Sequence, residues 1–112
     1  MKYTYAIFAL ISGATASGTC QTAPPQQGVA LYVGDCSGSG PCGPRNKAFI
    51  LEHNNGYLTI VNSSKSPRMI VEVQQYGYDY EVTDYEQYWI NSGDVCTVKI
   101  DFAVQGYHSW KA

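Results

Sequence analysis

The sequence is short of charge, of histidine and of helical pattern, and each shortage excludes something. Only 14% of its 112 residues are Asp, Glu, Lys or Arg, and seven basic residues stand against nine acidic ones. No basic stripe exists, and neutralising a nucleic-acid backbone needs one, so nucleic acid is not an expected partner. The two histidines, His53 and His108, are isolated, and no cysteine pair is spaced as Cys-x-x-Cys. That leaves no zinc pattern, and no metal or cofactor is expected. There is no Gly-x-Ser-x-Gly motif for a serine nucleophile. No window repeats apolar residues at the helical period, and no internal repeat is visible. Past the first residues, no apolar run approaches the length of a membrane span.

What is present begins with a leader. Residues 1–16, MKYTYAIFALISGATA, place Lys2 ahead of an apolar run and end on Ala14-Thr15-Ala16, a small-x-small cleavage signal. This is the pattern of a secretory signal peptide, too short to cross a bilayer. Residues 17–112 are then one secreted, extracellular domain, expected as a monomer. Loss of Lys2 leaves six basic residues against nine acidic, a balance of −3.

All four cysteines, Cys20, Cys36, Cys42 and Cys96, lie beyond the leader. An even count in a short exported chain reads as two disulfides. Three pairings are open to four cysteines, and sequence does not choose among them. The preferred one joins Cys20 to Cys96 and closes a small loop with Cys36 and Cys42. On the chain-entropy account the long bridge contributes about 4–5 kcal/mol.

The strongest strand signal lies at 94–104, DVCTVKIDFAV. Cys96, Val98, Ile100, Phe102 and Val104 share one side, and Thr97, Lys99 and Asp101 the other. We expect this to be the central strand. Further strands are expected at 28–34, 48–53, 57–62, 68–76, 78–82 and 84–90, the last being the least distinct from a single helical turn. Asn54-Asn55-Gly56 marks a hairpin, because Asn and Gly tolerate positive φ. In 68–76, Met69, Val71 and Val73 alternate with Arg68, Ile70, Glu72 and Gln74. Pro24-Pro25 restricts 17–27 to an edge or tail. The glycine- and serine-rich stretch 35–45 reads as a disulfide-pinned loop, and residues after Gly106 as a short tail. The expected fold is all-β, a small antiparallel sandwich or barrel of six to seven short strands, stapled by two disulfides. Its core would hold Leu31, Val33, Leu58, Ile60, Val71, Val73, Val98, Ile100 and Phe102. Asn62-Ser63-Ser64 is an N-glycosylation acceptor pattern.

The functional signal is compositional. Residues 76–89 hold Tyr76, Tyr78, Tyr80, Tyr85, Tyr88 and Trp89 beside Asp79, Glu81, Asp84 and Glu86, with no cation. Tyrosine and tryptophan offer large, stiff contact area with a polar edge, as suits recognition of proteins and sugars. These six rings are the expected binding face. The carboxylates match no calcium-loop spacing.

Two resemblances add to this. Residues 85–95, YEQYWINSGDV, resemble a stretch of the small secreted guanyl-specific fungal ribonucleases. There a Tyr-Glu strand carries the catalytic base and a Ser-Gly-Asp turn follows. The resemblance implies Glu86 as base toward a ribose 2′-hydroxyl, with His53 or His108 as acid. The chain departs from that family in having no arginine after Glu86 and no helix ahead of its sheet. More broadly, the short signal, the glycine-rich Cys-x5-Cys segment and the valine-rich late strand look like small secreted fungal effectors and killer-toxin-type proteins. That class likeness implies virulence or competition through binding a host or competitor protein, or a cell-wall glycan.

Overall fold

A computed structural model describes residues 18–28, 32–36, 41–54 and 56–112. The expected signal peptide, and Leu31 of the expected core, lie outside them. Among the described residues nine strands run in chain order: β1 (Gly18–Thr19), β2 (Gln21–Thr22), β3 (Tyr32–Asp35), β4 (Ala48–Asn54), β5 (Tyr57–Asn62), β6 (Arg68–Tyr76), β7 (Val82–Asn91), β8 (Val95–Lys99) and β9 (Gly106–Lys111). They form a four-stranded sheet, β1-β8-β5-β4, and a five-stranded sheet, β2-β7-β6-β9-β3. The pairings are antiparallel except β1 with β8. The fold is an all-β sandwich.

Alternation explains which residues face inward. Met69, Val71 and Val73 of β6 are fully buried in the core between the sheets, with Leu58 and Ile60 of β5 and Ile50 of β4. The β4–β5 hairpin forms where Asn-Gly stands, with Gly56 at φ +85°. The turn into β8 has Gly93 at φ +81°, and Asp94 N donates to the Asn91 carbonyl at 3.1 Å.

Both disulfides match the preferred pairing, Cys20–Cys96 and Cys36–Cys42. Cys20 sits at a change of sheet. β1 before it pairs with β8, while β2 after it pairs with β7 in the other sheet. The bridge to Cys96 of β8 therefore holds the chain where it steps across the sandwich.

Three expectations are corrected. The central strand is β6, paired along its length to β7 and β9, and not the segment 94–104. β8 stops at Lys99 because the chain must leave its sheet to enter the other as β9. Ile100 and Val104 stay buried in that passage, whereas Val98 and Phe102 are half-buried against the core. Residues 106–111 are an interior strand rather than a tail, with Tyr107 and Ser109 buried. Residues 78–80 make a single 3-10 turn, not a strand.

Residues 21–28 are more than a tail. β2 lies at one edge of the five-stranded sheet, and residues 23–28 continue from it over that sheet's outer face as far as Trp110 of β9. Gln26 N donates to Gln87 Oε1 at 3.1 Å, and Gln87 Nε2 donates to the Gln26 carbonyl at 2.8 Å. A side-chain amide thus copies a backbone pairing. Gln87 Nε2 also donates to Glu72 Oε1 at 2.7 Å. Farther along, Gly28 lies flat on Trp110; a Cβ there would stand 2.4 Å from the indole ring. This strap explains why Gln87 and Trp110, with Ile70 between them on the outward face, are nevertheless buried.

Candidate binding surface at the β6–β7 end

β6 and β7 are the longest strands, and the hairpin between them carries the tyrosine-rich segment. Their ladder shifts register between Gln75 and Tyr76, which re-aims the chain entering the turn. Gly77 N donates to the Glu81 carbonyl at 2.7 Å, closing the tip. Inside it Asp79 and Tyr80 hold φ of 59° and 60°. For a ring-bearing residue such as Tyr80 this left-handed conformation is an outlier, and strain of this kind concentrates at binding sites.

The tip is anchored from below. Tyr76 N donates to Gln105 Oε1 at 2.9 Å. The Tyr76 ring lies over Gly106, where a Cβ would meet its hydroxyl at 2.0 Å. Tyr76 in turn meets Tyr80 edge to face, with ring centroids 5.9 Å apart. Thr83 Oγ1 donates to the Gln75 carbonyl at 3.3 Å.

The six expected rings therefore separate. Tyr78 is 89% exposed and Tyr80 83%, side by side on the tip, with Tyr85 at 43% farther down β7. Tyr76 is half-buried and supports them. Trp89 is on the outer face of β7, half-buried beneath the Arg68 guanidinium, whose carbon sits 4.8 Å from the ring centroid. Tyr88 points the other way. It is 2% exposed, within the core, and so lies outside the exposed face. Period two along β7 makes this split inevitable, since Tyr85 and Trp89 share a row that Tyr88 does not.

Farther along β7 from the tip, a groove of about 480 Å³ opens between the two sheets. Thr22, Glu86 and Tyr88 line it from one sheet, and Val98, Lys99 and Asp101 from the other side. Burial pushes the Tyr88 phenol up to about 12, with the Glu86 and Asp101 carboxylates adding to the shift. Tyr88 is therefore a neutral hydrogen-bonding group, and the groove's charge comes from Glu86, Asp101 and Lys99. Among the described residues no cluster of three or more His, Cys, Asp or Glu is arranged to hold a metal.

Glu86 is not brought to either histidine. It is paired through Val73 to Tyr107, while His108 is opposite Glu72 on the other face of the sheet, two strands away. Two strand spacings are roughly 10 Å. His53, in the other sheet, is separated from the groove by β5, in register with Val98 through Leu58. It is buried, and its Nε2 has no hydrogen-bond partner among the described residues. Burial holds its pKa below the ordinary value, against the opposing pull of the Cys36 backbone. The acid–base pair that the ribonuclease resemblance implies is thus not assembled.

Asn62 is also placed otherwise than the acceptor pattern implies. Its side chain is fully buried; Nδ2 donates to the Ile90 carbonyl at 2.9 Å, and Oδ1 accepts from Ser64 N and Oγ at 3.0 and 2.7 Å. The nitrogen that would carry a glycan is inside the sandwich.

No family model, curated protein or solved structure matches this chain.

Proposed function

We propose that the chain is an exported recognition protein of effector-like or toxin-like kind, which binds a host or competitor protein or a cell-wall glycan through the β6–β7 tip. The observation that carries this reading is the pair Tyr78 and Tyr80, almost fully exposed on a turn held in left-handed backbone. Exposed rings on a rigid turn lose little entropy on contact. Tyr85 and Val82 continue the apolar surface, and Asp79, Glu81, Asp84 and Glu86 surround it with negative charge. A protein partner would accordingly present cations around an apolar centre. Two disulfides suit an oxidising, extracellular setting. No helix among the described residues is long and apolar enough to cross a membrane.

Binding of the oxidised protein to cell-wall polysaccharides and to host-extract proteins tests the reading, with Tyr78→Ala/Tyr80→Ala as comparator. Loss of a saturable interaction in the double variant, with unchanged melting, supports it. A partner held equally by both proteins places recognition elsewhere.

A further inference from the structure

Most charges of this protein are sorted along its strands; Asp94, in the turn between β7 and β8 next to Asn62, is an acidic residue at the otherwise basic end. Asp79, Glu81, Asp84, Glu86 and Asp101 gather at the end already described, with Lys99. Of the six cations among the described residues, the other five stand at the opposite end. Arg45 and Lys47 precede β4, Lys65 lies in the β5–β6 loop, Arg68 opens β6 and Lys111 closes β9. The nine residues of β6 put roughly 26 Å between the two ends. That is about three Debye lengths at physiological salt, so the acidic end does not neutralise the basic one.

At the basic end is a groove of about 630 Å³, lined by Lys47, Lys65 and Lys111 with Asn46, Ser63 and Ser66 among the polar groups between them. Lys47 precedes β4 of one sheet, Lys111 closes β9 of the other and Lys65 lies in the loop that joins the two, so the groove draws its lysines from both sides of the sandwich. The walls are fixed. Ser63 N donates to the Lys47 carbonyl at 3.1 Å, and the buried Asn62 side chain holds Ser64. Ser92 Oγ donates to the Ser64 carbonyl at 2.6 Å, and Ser92 N to the Pro67 carbonyl at 3.1 Å. The loop carrying Lys65 is therefore tied at Ser64 and Pro67, on both sides of it. Among the described residues none of the three lysines makes a salt bridge.

We propose that this groove is an oxyanion site for a small ligand bearing several phosphate groups. Three ammonium point charges with hydroxyl and amide donors between them match separate phosphates on one ring or chain. The volume is in the small-ligand range. Such phosphates occur free or as lipid headgroups, and the chemistry recognised is the same.

Calorimetric titration of the oxidised protein with inositol hexakisphosphate, against inorganic phosphate, tests the site. Saturable 1:1 binding is expected, weakening with salt, with inorganic phosphate at least tenfold weaker. Lys65→Gln and Lys111→Gln should each weaken it about tenfold, while Lys99→Gln leaves it unchanged. All three lysines are exposed, so melting should hold in each variant. Capture by phosphatidylcholine vesicles carrying phosphatidylinositol bisphosphate, competed by the soluble phosphate, makes the lipid headgroup a source; soluble binding without capture makes the free phosphate the source. No titratable heat and no shift in melting with hexakisphosphate would overturn the proposal, as would equal weakening by Lys99→Gln. Tyr78→Ala/Tyr80→Ala must retain this binding, so the two ends fail or succeed separately.

Discussion

Asn62 of β5 donates its side-chain Nδ2 to the Ile90 carbonyl of β7 at 2.9 Å, a buried hydrogen bond from one sheet to the other. Its Oδ1 closes the turn that follows β5. Asn62→Ala leaves the Ile90 carbonyl and the Ser64 donors unpaired in the core, and should cost about 2–4 kcal/mol in denaturant unfolding. Protein secreted from a glycosylating host should carry no glycan at Asn62 by peptide mass spectrometry, since the folded state has no room for one.

The tip stores strain. Tyr80→Gly places the residue that tolerates φ near 60° where a ring now stands, and should raise stability by roughly 1 kcal/mol. If the tip is the recognition surface, the same variant loses partner binding while its melting temperature rises. A fall in melting temperature would show that the turn is not strained.

The strap over Trp110 is sensitive to a single methyl group. Gly28→Ala inserts a Cβ within 2.4 Å of the indole, so the strap must lift. We expect a loss of about 1–3 kcal/mol, with a red shift of tryptophan emission as Trp110 meets water.

Two groups set the pH limits. Burial lowers the His53 pKa, so the unfolded chain takes up its proton first as pH falls below 6.5. Stability is complete above that pH and declines below it, and His53→Gln should flatten the decline in urea titrations. Tyr88 behaves oppositely. Its folded pKa is raised from 10.0 to about 12, so stability is complete below pH 10 and is lost as pH rises through 12. Tyr88→Phe should remove that alkaline loss, followed by tyrosinate absorbance.

Reduction should act mainly through the long bridge. Opening Cys20–Cys96, 76 residues apart, removes about 4–5 kcal/mol on the chain-entropy account, against about 2 kcal/mol for Cys36–Cys42. Cys36→Ala/Cys42→Ala should therefore melt well above Cys20→Ala/Cys96→Ala in a calorimeter.

Local alternation and turn chemistry were enough, by themselves, to define the all-β class, the Asn-Gly hairpin, the inward row Met69, Val71 and Val73, and the tyrosine-rich segment. Side-chain period and positive-φ tolerance are properties of neighbouring residues, so sequence displays them directly. The preferred disulfide pairing also held, although spacing alone left three open. Which strand is central was settled by long-range pairing, because partners are remote in sequence and β6 gains two where β8 gains one long one. Only the assembled fold showed that residues 106–111 enter the interior and that the segment around Pro24-Pro25 covers a sheet face. One residue had hinted at that cover: Ile70, apolar in an otherwise polar row. The separation of Glu86 from both histidines, the burial of Asn62 and the gathering of Lys47, Lys65 and Lys111 likewise depend on how distant strands meet. Short-range pattern fixes which way a side chain points along its own strand; what it then meets is set by long-range pairing, where one residue of register reverses every face.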